Sequence, residues 1–184
     1  MKTLTTALSL LTIGVIAIAS FADTFEGSLV VSPQWTHSKE VGVSTVSETF
    51  GLLLRQSHTT GTNVNQMTDV VVLSRTLAGS TNETFNLAGG VTNSFGDVVN
   101  FREVRFLAVR SSSANNPTIE IGGASENQFA SWLGDSSDKV KVAPSGLLLM
   151  TAPLTGFSST NGNLQVTNTG TNSASYLLYI GGVE

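Results

Sequence analysis

The sequence predicts an all-β protein, a single jelly-roll-like β-sandwich over residues 23–184 preceded by a hydrophobic segment over residues 1–22. Three observations predict it. From Gly27 onward about ten short apolar runs lie between Gly, Asn, Ser and Thr clusters, and these turn signals recur roughly every 8–14 residues. Helical periodicity is lacking, so helix content should be low. No solenoid-like repeat and no Pro-rich or charged linker divides the chain, whose 184 residues suffice for one domain with a sizeable core.

Taken in order, Gly27 to Trp35 (GSLVVSPQW) reads as the first strand, ending near Pro33. Val41 to Arg55 alternates imperfectly, and His58 to Gln66 (HTTGTNVNQ) reads as a long loop. Asp69 to Arg75 is a continuous β-branched run expected to be buried on both faces. Val104 to Arg110 suits a central strand, with Arg105 and Arg110 expected on its solvent side. Ile119 and Ile121 flank Glu120, and Val140 and Val142 flank Lys141, so each of these strands has one wet and one dry face. Glu126 to Leu133 fits one helical turn or a bulged strand, with Phe129 and Trp132 capping the core. Leu147 to Thr151, Leu164 to Asn168 and Ala174 to Ile180 complete the set, and the Gly-Gly pairs at 89–90, 122–123 and 181–182 are expected at strand ends.

The first 22 residues have two readings. Lys2 precedes an uncharged apolar run from Ala7 to Ala19, with small-residue cleavage patterns before Ser20 or Asp23, as in a secretory signal peptide. Thr3, Thr5, Thr6, Ser9 and Thr12 interrupt the apolar residues, as in a retained assembly arm. The run is too short for a stable membrane anchor, which takes about 20 apolar residues.

Composition narrows the chemistry. Nine Lys and Arg against thirteen Asp and Glu give a net charge of −4, with no basic stripe, so direct nucleic-acid binding is not expected. There is no cysteine for disulfides, thiolate catalysis or Cys-based zinc sites. His37 and His58 read as surface-loop imidazoles rather than metal ligands, although Glu40 follows His37 by three residues. Asp135 and Asp138 in GDSSD have oxygens to offer calcium but read better as a turn capped by Asp side chains. With Asp97, Glu103 and Glu126 they are the acids available for a catalytic pair, and all read as solvated carboxylates. Trp35, Phe129, Trp132, Tyr176 and Tyr179 would make a sugar platform if two were exposed together; core packing is the expectation. Asn82-Glu83-Thr84 matches a glycosylation sequon and is assigned no function. No nucleophile elbow or phosphate loop occurs, so no catalytic, cofactor-binding or metal residue is assigned and no enzyme is expected.

Four phrases, RTLAGSTNETFNLAGGVTNSFGD, FREVRFLAVR, IEIGGASENQFASWLGD and VKVAPSGLLLMTAP, resemble a family of tailed-phage and prophage virion structural proteins. The likeness runs from Gly27 to Gly182. It rests on Thr76-Leu77-Ala78, Leu87-Ala88-Gly89-Gly90, Phe95-Gly96, Phe101, Val104, Ile121-Gly122-Gly123-Ala124, Phe129, Trp132 and Gly134-Asp135, then Pro144, Ala152-Pro153, Ala174, Tyr176, Ile180 and Gly181. The chain departs from that pattern at Asn86, at Ser145 and in its hydrophobic N-terminus. The resemblance implies a non-enzymatic virion component (head decoration, fibre or tail) that contacts copies of itself and other virion proteins, with no active site to transfer. The alternative is a secreted β-sandwich binding module recognising a glycan or surface ligand.

Overall fold

The computed structural model describes Thr24 and residues 26–160 and 162–184. Both readings of residues 1–22 therefore lie outside the described residues. Within them the chain forms sixteen strands and no helix, against the roughly ten strands legible in the sequence.

Eight principal strands make the sandwich. β6 (Asp69–Leu77), β10 (Glu103–Ser111), β13 (Leu147–Thr151) and β16 (Ala174–Val183) form one sheet in the order β13-β10-β16-β6, to which the two-residue β14 (Phe157–Ser158) adds as a fifth strand paired with β10. β7 (Asn82–Asn86), β11 (Ile119–Gly122), β12 (Lys139–Val142) and β15 (Asn163–Asn168) form the other, in the order β12-β11-β15-β7. Every pairing within the two sheets is antiparallel. Followed along the chain, these strands trace the two interlocked Greek keys of a jelly roll. The predicted fold class is the observed one.

Strand alternation explains the core. In β16, Ala174, Tyr176, Leu178 and Ile180 are buried, while Ser175, Leu177 and Tyr179 face outward. They meet Val71, Leu107 and Val109 of their own sheet and Ile119, Ile121, Leu164 and Val166 of the other. Glu120 and Lys141 are the wetter residues of β11 and β12, as expected. β6 departs from expectation: Val71 is fully buried but Val72 is 44% exposed, because the outer face of its sheet is uncovered there.

Several local expectations are corrected. The first strand ends before Pro33, giving β1 (Glu26–Val31) and β2 (Gln34–Val41). β2 pairs with β3 (Ser44–Gly51) as a long hairpin where only imperfect alternation was visible. The predicted 58–66 loop shrinks, since His58 to Thr60 belong to β4 (Leu54–Thr60) and Gln66 to β5 (Gln66–Met67). β1, β4 and β5 form a small separate sheet. Residues 126–133 form neither a helix nor a bulged strand; they turn so that Trp132 Nε1–H donates to Phe129 O at 3.1 Å. The two rings lie 6.4 Å apart, and Phe129 is buried in the core.

Of the Gly-Gly pairs, 122–123 closes β11. Gly89–Gly90 instead falls in the irregular pairing between β8 (Ala88–Thr92) and β9 (Val98–Asn100), and Gly181–Gly182 lies inside β16. Gly182 is needed for close approach, since a Cβ there would stand 2.1 Å from Glu103 O and 3.0 Å from Phe101 Cδ1.

Arg105 is the largest local surprise. The β10–β16 register slips between Val104 and Phe106, making Arg105 the extra residue of a β-bulge. Its side chain is covered by residues 62–66 and is 4% exposed, whereas Arg110 stays on the solvent side as predicted.

Candidate functional site

The titratable candidates are scattered. His37 sits on exposed β2, opposite Glu48. His58 is not a surface imidazole, because β4 turns it inward opposite Gly27 and leaves it 4% exposed. It lines an apolar cavity of about 140 Å³ with Leu29, Met67, Val70 and Phe106, and neither ring nitrogen has a hydrogen-bond partner. Burial, and secondarily the Arg105 charge, lower its pKa from the usual 6.5.

The fold thus favours the neutral imidazole. At pH values below 6.5 the unfolded chain binds the proton more readily, so stability is fully present above that pH and falls on acidification. His58→Phe should raise stability by about 1–3 kcal/mol by removing orphaned polar atoms, and should flatten the decline as the pH falls below the usual 6.5. Urea unfolding across that range is the check; an unchanged pH slope would show that His58 is not its source.

The acidic candidates are absorbed locally. Asp135 N–H donates to Asp138 Oδ2 at 2.8 Å, while Ser137 N–H and Oγ–H donate to Asp135 Oδ1, each at 2.8 Å. The Ser137 bonds, the backbone one first, hold the exposed Asp135 carboxyl below its usual range. This is the self-capped turn predicted from GDSSD. Glu103 pairs with Arg105 at 3.1 Å. Among the described residues, Asp97, Glu103, Glu126, Asp135 and Asp138 share no side-chain to side-chain hydrogen bond, and no cluster of three metal-ligating side chains forms.

Phe129 and Tyr176 lie in the core as expected. Tyr176 O–H donates to Glu83 Oε2 at 3.2 Å, and burial, then the Glu83 charge, push the phenol above its usual range. The Asn82-Glu83-Thr84 segment therefore has a packing role, with Glu83 also bound to Arg75 at 3.1 Å. Trp35 contradicts the core expectation at 61% exposure.

Trp35 belongs to the feature that stands out, the β2–β3 hairpin. Gly42 opens its two-residue turn with φ 64°, the first central position that primed hairpin turns reserve for glycine. All sixteen strand residues of the hairpin are exposed. Directly paired residues share a face, so Trp35 and Phe50, His37 and Glu48, Lys39 and Val46, and Val41 and Ser44 lie on one side. The other side carries Gln34, Thr36, Ser38, Glu40, Thr45, Ser47 and Thr49. One side of the hairpin thus carries all four of its apolar strand residues, mixed with His37, Lys39, Ser44 and Glu48, and it is bare. Leu52, Leu53 and Leu54 at its root are exposed as well.

No protein-family model matches this chain, and no curated protein or solved structure matches it either. The site is therefore read from its own geometry. The period-two pattern Trp35, His37, Lys39, Val41 around a Gly turn was the signal available in the sequence. It was missed because polar residues share the apolar face, and hairpins are usually recognised by a face that is buried.

Proposed function

We propose that this chain is a non-enzymatic structural protein of a virion, built into particles through contacts between its own copies. The observation that carries this reading is the bare face of the β2–β3 hairpin. An isolated two-stranded hairpin is marginal in water, and Trp35, Phe50, Val46 and Val41 are still about half exposed, so covering each is worth roughly 1 kcal/mol. A long apolar arm on a closed sandwich is a device for joining subunits. The jelly roll, used by capsid and lectin domains, and the phage-like phrases between Gly27 and Gly182 support the same reading.

Mass spectrometry of purified particles should find the protein at many copies per virion, and its absence would overturn the proposal. The signal-like run from Ala7 to Ala19 favours the second reading, a secreted binding module. A mature N-terminus at Ser20 or Asp23 supports export, and an intact Met1 within particles supports the virion role.

A further inference from the structure

A second bare apolar surface lies on the sandwich itself. Across the outer face of the β13-β10-β16-β6 sheet, Val72, Tyr179, Ala108 and Leu149 form one row in register, and Ser74, Leu177, Arg110 and Leu147 form the next. Val72 and Leu147 are exposed, and Tyr179, Leu177 and Leu149 are only half-buried. Arg110 is the one charged side chain at these eight positions, and it makes no hydrogen bond or ion pair among the described residues. Beside it is an open depression of about 270 Å³, lined also by Ser74, Ser112 and Ser175.

The hairpin presents a matching pattern. Glu48 stands between Phe50 and Val46 on the apolar side of β3, and it too has no hydrogen bond or ion pair among the described residues. We infer that the hairpin of one copy lies with this face on the outer sheet face of a second copy, the Glu48 carboxylate entering the depression at Arg110. This deepens the assembly reading above, and rests on it.

The charges decide the occupant. An apolar partner without an anion would strand Arg110 on covering this face, and one without a cation would strand Glu48 on covering the hairpin; either is costly. A second copy supplies both partners at once, and the guanidinium and serine hydroxyls are donors suited to a carboxylate. Lys39, on the hairpin's apolar side, can carry its charge to the rim along its aliphatic stem. Arm and face are different patches of one chain, so the contact either closes as a two-fold dimer in which two copies exchange arms or runs head-to-tail into a ring or a filament.

The test is a charge swap in the full chain, read by sedimentation velocity over a concentration series, with circular dichroism confirming that each variant folds. Glu48→Arg and Arg110→Glu should each raise the concentration needed for assembly roughly tenfold or more, and the double variant should restore it. Because the chain has no cysteine, a second measurement is direct: Val46→Cys chains mixed with Leu147→Cys chains should be joined between copies by a short bismaleimide. Assembly unchanged in both single swaps overturns the arm-to-face contact but leaves the assembly reading standing. A wild-type chain that stays monomeric overturns the contact too, while absence from particles overturns the virion reading itself.

Discussion

Arg105→Met should cost about 3–5 kcal/mol of folding stability, measured by urea unfolding, while leaving the surface of the sandwich unaltered. The buried guanidinium donates to the carbonyl oxygens of Thr62, Asn63 and Gln66, and to the Glu103 carboxylate. Those carbonyls belong to the connection between β4 and β5 and to the first residue of β5, so one side chain from the sandwich ties down the small N-terminal sheet. Methionine retains the apolar stem but withdraws the guanidinium from these carbonyls, of which Asn63 O keeps the Gln66 N–H at 3.0 Å, and leaves Glu103 without its partner. The 61–66 segment should then become the first site of proteolysis, since its backbone loses the bonds that tie it to the sandwich through Arg105. A loss below about 1 kcal/mol would mean that water replaces the guanidinium at no great expense.

Asn168→Leu should be comparably damaging, at about 3–5 kcal/mol, or a melting temperature lowered by roughly 10 °C or more. Asn168 ends β15 and is fully buried. Its amide donates to the carbonyls of Leu77 at 3.3 Å, Ala78 at 2.9 Å and Asn172 at 2.8 Å, and its oxygen accepts from Gly170 N–H at 3.0 Å. It therefore joins the end of β6 in one sheet to the β15–β16 turn that leaves the other. Leucine matches the volume but answers none of these groups. Calorimetry is the measurement, and a shift of only a few degrees would show that the sheets are held at this corner by packing alone.

Neither residue was legible for these roles. Arg105 sits in an apolar run where alternation assigns it to solvent, and only the segment between β4 and β5, which the tertiary fold lays over the β-bulge, buries it. Asn168 looked like a strand end rich in turn formers, and its partners lie 2 to 91 positions away, those at the end of β6 at 90 and 91. His58 was misplaced for a similar reason: a polar tract read as loop became a strand whose inward side is set by its pairing with β1. The GDSSD turn was legible because its hydrogen bonds close within four residues, from Asp135 to Asp138.

The same division by range holds for the whole protein. Short apolar runs such as those around Ile119, Val140 and Leu164, the turn residues between them and the missing helical period are local properties, and they determine an all-β sandwich without reference to distant residues. Composition likewise decides by itself that there is no cysteine chemistry and no basic stripe. Only the tertiary structure decided which strand faces are left bare. Whether Trp35, Phe50, Val72 or Leu147 is covered depends on what the rest of the chain places over it, and an apolar side chain reads the same in a sequence whether its partner is the core of its own fold or none at all.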